Sequence, residues 1–416
     1  MPTPRSRIGL VLFATLGVPA LCAGQAASDW NLRKSQPPEV VRQISYTFRE
    51  TFGYALMPDS SLFGTADQFR SLYPDAYWIE SSKTLTNEDG SLAWARSRDM
   101  MALVAMYDAT SDPWYVIRLG EMCEAVMAVR DDLSGKKDDI GRSVPGWGTG
   151  RYSEGKRRIF LVHSGLILQP ILEWAVRANR IPGWSAEDEA KRAVLVERCK
   201  ETLLWHDYQL DPKPMEGEAV YAGGYEEPER KFTWQPYNRQ NLLARDFYLL
   251  YEATGDESFK ERSRKLYSFF KNRLELTPSG AYIWSYEPIK ARGPSPVTAC
   301  EDVSHASYTL EAIVPACRDG FVFDSTDLDR FARTFTQYIS WGNGVFQSSI
   351  GCAAFYTPRY MERLFAWMPL AQSDPAIYWL LHRFLLHNVE KPVPEAVAFL
   401  VAYRPKGASG IDTRVR

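Results

Sequence analysis

The stretch Thr233-Trp-Gln-Pro-Tyr-Asn-Arg-Gln-Asn241, with the run that follows it to Tyr251-Glu-Ala-Thr-Gly-Asp256, decides how the rest of the chain reads. Pro236 has no backbone N–H and would break a helix interior, so the polar cluster sits on a loop and in the first turn of the helix it opens. Gly255 closes that helix. Between them Leu242, Leu243, Phe247, Leu249 and Leu250 leave little of the helix surface polar, which predicts a helix buried inside the molecule. A buried helix with amides, aromatics and a guanidinium at its mouth points to a site.

The arrangement recurs. Tyr107-Asp-Ala-Thr-Ser-Asp112 precedes Tyr251-Glu-Ala-Thr-Gly-Asp256 by 144 residues, and each joins an apolar helix to an amphipathic one, 112–132 and 256–275. Downstream, aromatic and glycine-rich loops (Trp147 to Tyr152, Tyr282 to Tyr286) lead to His163 and His305 at helix starts, 142 residues apart. Two motifs keeping nearly one offset indicate a duplicated unit of one inner and one outer helix set around a ring.

Working outward, residues 1–27 read as a secretory signal peptide: Arg5 and Arg7, an apolar core from Ile8 to Val18, then a small-residue cleavage site at Gly24-Gln-Ala26. Leu21 stands where a lipoprotein signal wants a small residue, which argues against lipidation of Cys22. The expectation is export to the periplasm or medium, with residues 28–416 as a single, monomeric catalytic domain. No later run matches the roughly 20 apolar residues of a membrane span. Removing Arg5 and Arg7 takes the formal charge from −2 to −4. With bases and acids interspersed, this disfavours nucleic acid as a partner. Of six cysteines five remain after the leader, Cys123, Cys199, Cys300, Cys317 and Cys352, in no metal-binding spacing. Buried free thiols are the expectation, and Cys300 with Cys317 is the pair to check. Neither a metal nor a cofactor is expected.

Helices are predicted over 37–54, 91–109, 112–132, 156–178, 185–207, 238–254, 256–275, 302–318, 325–340 and 375–388, with few and short strand signals. Paired helices joined by tight Thr-x-Asp turns predict an all-α fold, an (α/α)6 or (α/α)7 toroid of helical hairpins. An open solenoid would show more self-similar units. The loops 133–155, 208–237 and 276–301 are long, and long ordered loops usually carry function. They also hold many of the 13 Trp and 22 Tyr. Aromatic faces with Asn, Gln, Arg and carboxylates around them suit sugar rings, so the loop surface reads as a glycan cleft. Trp234, Gln235, Asn241, Tyr225, Tyr286 and Glu301 are its candidate binding residues.

His305 follows Glu301-Asp302, where Asp302 can cap the helix and a carboxylate can orient the imidazole. His163 is its repeat counterpart in more apolar company. Tyr237, Asn238 and Arg239 form a second constellation. In β-elimination from a uronic acid the sugar carboxylate must be neutralised, a base removes the C5 proton and an acid protonates the departing oxygen. Asn238 or Arg239 could neutralise, while Tyr237 and His305 could share the acid and base roles. Hydrolysis would instead need two carboxylates about the bond, from Glu301, Asp302, Glu226 and Glu227. Motifs for acyl transfer, nucleotide binding and zinc proteolysis are missing.

With those motifs in hand, the Tyr-Glu-Ala-Thr-Gly-Asp turn, the Tyr-Asn-Arg-Gln-Asn helix start and the Glu-Asp-Val-Ser-His helix start resemble bacterial (α/α)-toroid polysaccharide lyases. Polysaccharide lyase family 38, with its alginate and glucuronan lyases, is the nearest, over about residues 90–320. The resemblance implies metal-independent elimination by Tyr237 and His305 on an anionic, uronic-acid polysaccharide. A toroid glycoside hydrolase, a uronate C5-epimerase and a non-catalytic glycan-binding protein are the alternatives.

Overall fold

A computed structural model of the chain describes residues 64–212, 214–228, 233–288, 301–340, 346–350, 363–388 and 393–405. The expected leader, the expected helix over 37–54, and Cys22, Cys300 and Cys352 lie outside them.

Two short helices not foreseen from sequence, α1 (Ala66–Leu72) and α2 (Asp75–Lys83), open the described part. Helical hairpins follow: α3 (Ser97–Thr110) with α4 (Pro113–Ala128), α5 (Leu161–Arg177) with α6 (Ala186–Trp205), α7 (Tyr237–Thr254) with α8 (Glu257–Lys271), and α9 (Val303–Asp319) with α10 (Ser325–Thr334). A 3₁₀ run (Leu364–Gln372), α11 (Pro375–Asn388) and α12 (Pro394–Ala402) complete the order.

The duplicated turn has a common physical cause. At the end of α3 the Thr110 hydroxyl donates to Met106 O at 2.7 Å and accepts from Asp112 N at 3.2 Å; Thr254 does the same with Leu250 and Asp256 at the end of α7. Ser111 and Gly255 take the left-handed conformation that ends each helix, and Asp112 and Asp256 cap the next. One reversing residue therefore makes each hairpin antiparallel and the inner helices mutually parallel.

Inner and outer members differ in pattern. Every residue of α5 from Leu161 to Ala175 is buried, whereas α8 buries Phe259, Leu266, Tyr267, Phe269 and Phe270 along one stripe and turns its charges outward. Neighbour packing runs α3 to α5 to α7 to α9 to the Leu364–Gln372 run to α12, and α12 packs back on α3. Six inner segments thus close a ring: the chain is an all-α (α/α)6 toroid. The helices after Pro236 and after Asp302 are both inner, as the offset predicts.

Boundaries differ where local chemistry intervenes. The 91–109 helix begins as a π-helical turn, Leu92–Arg96, and the 325–340 helix ends as another, Phe335–Ile339. The 156–178 helix starts only at Leu161, because Arg158 pairs with Thr149 in an antiparallel bridge. The one two-stranded ribbon among the described residues joins Glu275–Leu276 to Tyr282–Ile283. Cys123, Cys199 and Cys317 are buried and free. Among the described residues no helix is long and apolar enough to cross a membrane.

Candidate active site

Parallel inner helices bring their N-terminal ends, and the long loops feeding them, to one face of the ring. At the start of α9 Asp302 is the N-cap: its Oδ1 accepts from Ser304 N and His305 N, each at 2.9 Å, and its Oδ2 meets His305 Nδ1 at 2.5 Å. The cap and the imidazole share one carboxylate. The His305 side chain keeps 33% of its surface exposed. Tyr286 lies against the imidazole with ring centroids 5.1 Å apart.

Arg239, in the first turn of α7, connects this corner to the next. Its guanidinium bonds Glu227 and Gln235 at 2.7 Å each and also the Tyr286 side chain. Glu227, Arg239, Tyr286, His305 and Asp302 thus form one continuous line along the face. Beside Glu227, Glu226 is held by Tyr208, which donates to it at 2.9 Å, and by Gln209 at 2.5 Å. Burial raises the Glu226 carboxyl to about 7, with the Glu227 charge adding to the effect.

Further round the ring His163 is buried among Trp94, Tyr152 and Phe160. Asn87 Oδ1 accepts from Ala93 N, which turns its Nδ2 toward His163 Nδ1 at 3.1 Å. That assigns the imidazole proton to Nε2, a buried donor without a partner. Burial, then the charges of Arg239 and Arg151, lower the His163 pKa to about 3, so the ring stays neutral. Trp94 also packs on Tyr308, 5.7 Å between centroids. Below that aromatic layer a polar one crosses the ring: Arg98 reaches Glu311 and Gln169, and Arg363 reaches Glu311, Glu395 and Ser307. Trp94 Nε1, Asn238 Oδ1, both amide atoms of Asn241 and Thr309 Oγ1 are buried without partners on inner segments.

Several expected site residues lie elsewhere. Tyr237 is 1% exposed and packs on Phe269 and Phe270 of the outer helix α8, facing away from the ring interior. Trp234 stands edge-on to Phe269 and donates to Asp211 at 2.8 Å. Glu301 is completely buried, takes the Trp284 indole N–H at 3.0 Å, and has its carboxyl held well above the usual range by that burial. Tyr225 carries the Arg142 guanidinium at 4.3 Å on its ring. Gln235 positions Glu227 and Arg239, and Pro236 occupies the N-cap of α7. Trp94 and Tyr308 escaped the sequence reading; a π-helical turn, often found at functional sites, marks Trp94 but has no signal in sequence.

Among the described residues no group of three or more His, Cys, Asp or Glu is arranged to hold a metal ion. No protein-family profile matches the chain, and no curated protein does. Among solved structures it is similar to an inactive variant of an α-1,6-mannanase, GH76A of Salegentibacter sp. HEL1_6, in complex with α-1,6-mannotriose: 13% identity, 80% of this chain and 81% of that one, TM-score 0.41. The expected lyase class is corrected on the geometry: Tyr237 sits in the core, and the charge of Arg239, meant to neutralise a uronate, is taken by Glu227.

Proposed function

We propose that the chain is a glycoside hydrolase acting on a neutral glycan laid across the N-terminal face of the toroid. The observation that carries this is the Glu226–Glu227–Arg239–Tyr286–His305–Asp302 line, in which one carboxyl is kept protonated near neutrality and one imidazole is oriented by a carboxylate. A carboxyl that burial keeps protonated near neutrality is suited to act as a general acid.

In this reading Glu226 gives its proton to the departing glycosidic oxygen as the C1–O bond breaks. His305 Nε2 takes a proton from the water whose oxygen bonds to C1. Direct attack by water inverts the anomeric centre. Trp94 and Tyr286, both only partly buried, offer ring faces to a sugar. A neutral substrate is favoured because Arg98, Arg239, Arg245 and Arg363 each already hold a carboxylate. Export, which would bring the enzyme to extracellular glycans, belongs to the same proposal.

Purified protein incubated with neutral mannans and glucans, and in parallel with alginate and glucuronan, tests this. New reducing ends without absorbance at about 235 nm are expected, since hydrolysis creates no double bond. A rise at that wavelength on a uronic-acid polymer would overturn the hydrolytic reading.

A further inference from the structure

His206-Asp-Tyr-Gln209 forms a single 3₁₀ turn after α6, and residues three apart in such a turn lie over one another. His206 Nδ1 therefore meets Gln209 Oε1, at 2.6 Å, while its Nε2 meets Ser164 Oγ of α5 at 2.9 Å. The ring is fully buried, and burial lowers its pKa to about 4, so it is neutral near pH 7. One acceptor then sets the direction of every bond in the chain. The Ala222 carbonyl, 3.2 Å from Gln209 Nε2, can only accept, which fixes the amide nitrogen on that side and turns Oε1 to His206. Nδ1 must donate, Nε2 must accept, and Ser164 supplies its hydroxyl proton. The second amide hydrogen of Gln209 goes to Glu226 Oε1 at 2.5 Å.

We propose that His206 is a positioning residue that, through Gln209, directs the proton of Glu226 to Oε2, the oxygen facing Tyr208. Oε1 takes N–H groups from Gln209 and, at 3.3 Å, from Gly224, and an N–H cannot turn round and accept. Oε2 takes the Tyr208 hydroxyl at 2.9 Å, and a hydroxyl can do both. The acid proton therefore rests on Oε2 with Tyr208 accepting it, and once it has left, Tyr208 O–H donates to the carboxylate again. Gly224 makes room for this contact, since a Cβ there would lie 2.5 Å from Glu226 Oε2 and 2.8 Å from the Tyr208 hydroxyl oxygen. Ser164, His206 and Gln209 are all buried, so the chain acts on Glu226 and not on a ligand. Glu227, Tyr208, Tyr225 and Arg158, with Arg142 on the Tyr225 ring, are the other titratable or charged groups around Glu226. Burial raises both phenols, so neither titrates near pH 7. The inference rests on the hydrolase reading, in which Glu226 is the acid.

Carbon NMR of the glutamate carboxyls, with the Glu226 signal assigned by Glu226→Gln, reads the titration of Glu226 in the full chain, and imidazole nitrogen shifts read the His206 tautomer. In the wild type a neutral His206 with its proton on Nδ1 is expected; a proton on Nε2 overturns the proposal. His206→Phe leaves Gln209 Oε1 without a donor and the amide free to swing from Glu226. Because that N–H favours the carboxylate over the acid, the Glu226 midpoint should move up by about one pH unit, the worth of one hydrogen bond to a charged group. His206→Asn, whose amide nitrogen stands at the Nδ1 position, should restore the wild-type midpoint, whereas His206→Gln, which extends toward Ser164, should not. A midpoint unmoved in His206→Phe, or no difference between the Asn and Gln variants, overturns the proposal. The wild-type tautomer decides the matter even where a variant folds poorly. Loss of the two readings is separable: midpoints that move as stated without turnover on any glycan remove the hydrolase and leave the chain of bonds standing, and turnover with an unmoved midpoint does the reverse.

Discussion

Replacing Asp302 by asparagine separates the two tasks of that side chain. Oδ1 accepts both backbone N–H groups of the first turn of α9, and Oδ2 receives His305 Nδ1–H. Asparagine caps helices about as well as aspartate, so in Asp302→Asn the amide oxygen keeps the backbone bonds and the amide NH2 turns to the imidazole. Nδ1 must then accept, the ring proton moves to Nε2, and the lone pair that would take a proton from water is gone. The expected result is a fall in turnover of about 10² to 10⁴, the usual worth of a general base, with the urea midpoint nearly unchanged. Asp302→Ala loses the cap as well, costing a further ~1 kcal/mol of stability and, in a chain this long, about 2 °C of melting temperature or less. Reducing-end assays and urea unfolding, with unchanged slopes, read the two effects independently. Turnover within a few-fold of wild type in Asp302→Asn would refute the base assignment. Unfolding of that variant would refute the claim that cap and base are separable.

Three further outcomes follow from the site. Turnover should fall as pH rises above about 7, where Glu226 loses its proton, and Glu226→Gln should be slow with that alkaline limb gone; because folding raises this carboxyl from 4.5 to about 7, its stabilisation is complete below 4.5 and lost as pH rises to 7, by up to about 3 kcal/mol. His163 works in the opposite sense: its pKa falls from 6.5 to about 3 on folding, so its contribution is full above 6.5 and lost on acidification toward 3, and urea midpoints of His163→Asn should fall less steeply between pH 6.5 and 4.5 than those of wild type. Tyr237→Phe, which keeps the ring on Phe269 and Phe270, should leave turnover near wild type, and Tyr237→Ala should cost about 3 to 5 kcal/mol in unfolding free energy.

The toroid was legible because its signal is local. Thr110 and Asp112, and again Thr254 and Asp256, act on backbone groups within four residues, so the motif could be read without knowing what lies across the ring. α12 and the Leu364–Gln372 run were missed for the converse reason. Nine residues give little periodicity to detect, and Pro369 and Pro394 disguise them as loop. His305 with Asp302 was readable as a cap plus imidazole three residues on. Trp94, Tyr308 and the Arg98–Glu311 pair were not, since 213 residues separate the last two and only ring closure makes them neighbours.

Tyr237 shows where a correct element still misplaces a side chain. Successive helical residues turn by about 100°, so a tyrosine and the asparagine after it cannot both face the lumen. Residues 237 and 244 lie one helical stripe apart from 238, 241 and 245, and the structure gives the first stripe to α8, through Phe269, Phe270 and Ser263, and sends Arg245 of the second to Glu173 of α5. Composition likewise counts arginines without their partners. Arg239 reads as a free cation for a uronate until Glu227, twelve residues earlier in the loop that leads into α7, is placed 2.7 Å away. An arginine already paired in this way contributes hydrogen-bond geometry rather than net charge. In the proposed hydrolase, residues paired in this way would select ligands by hydroxyl pattern and ring face, which favours a neutral chain over a polyanion.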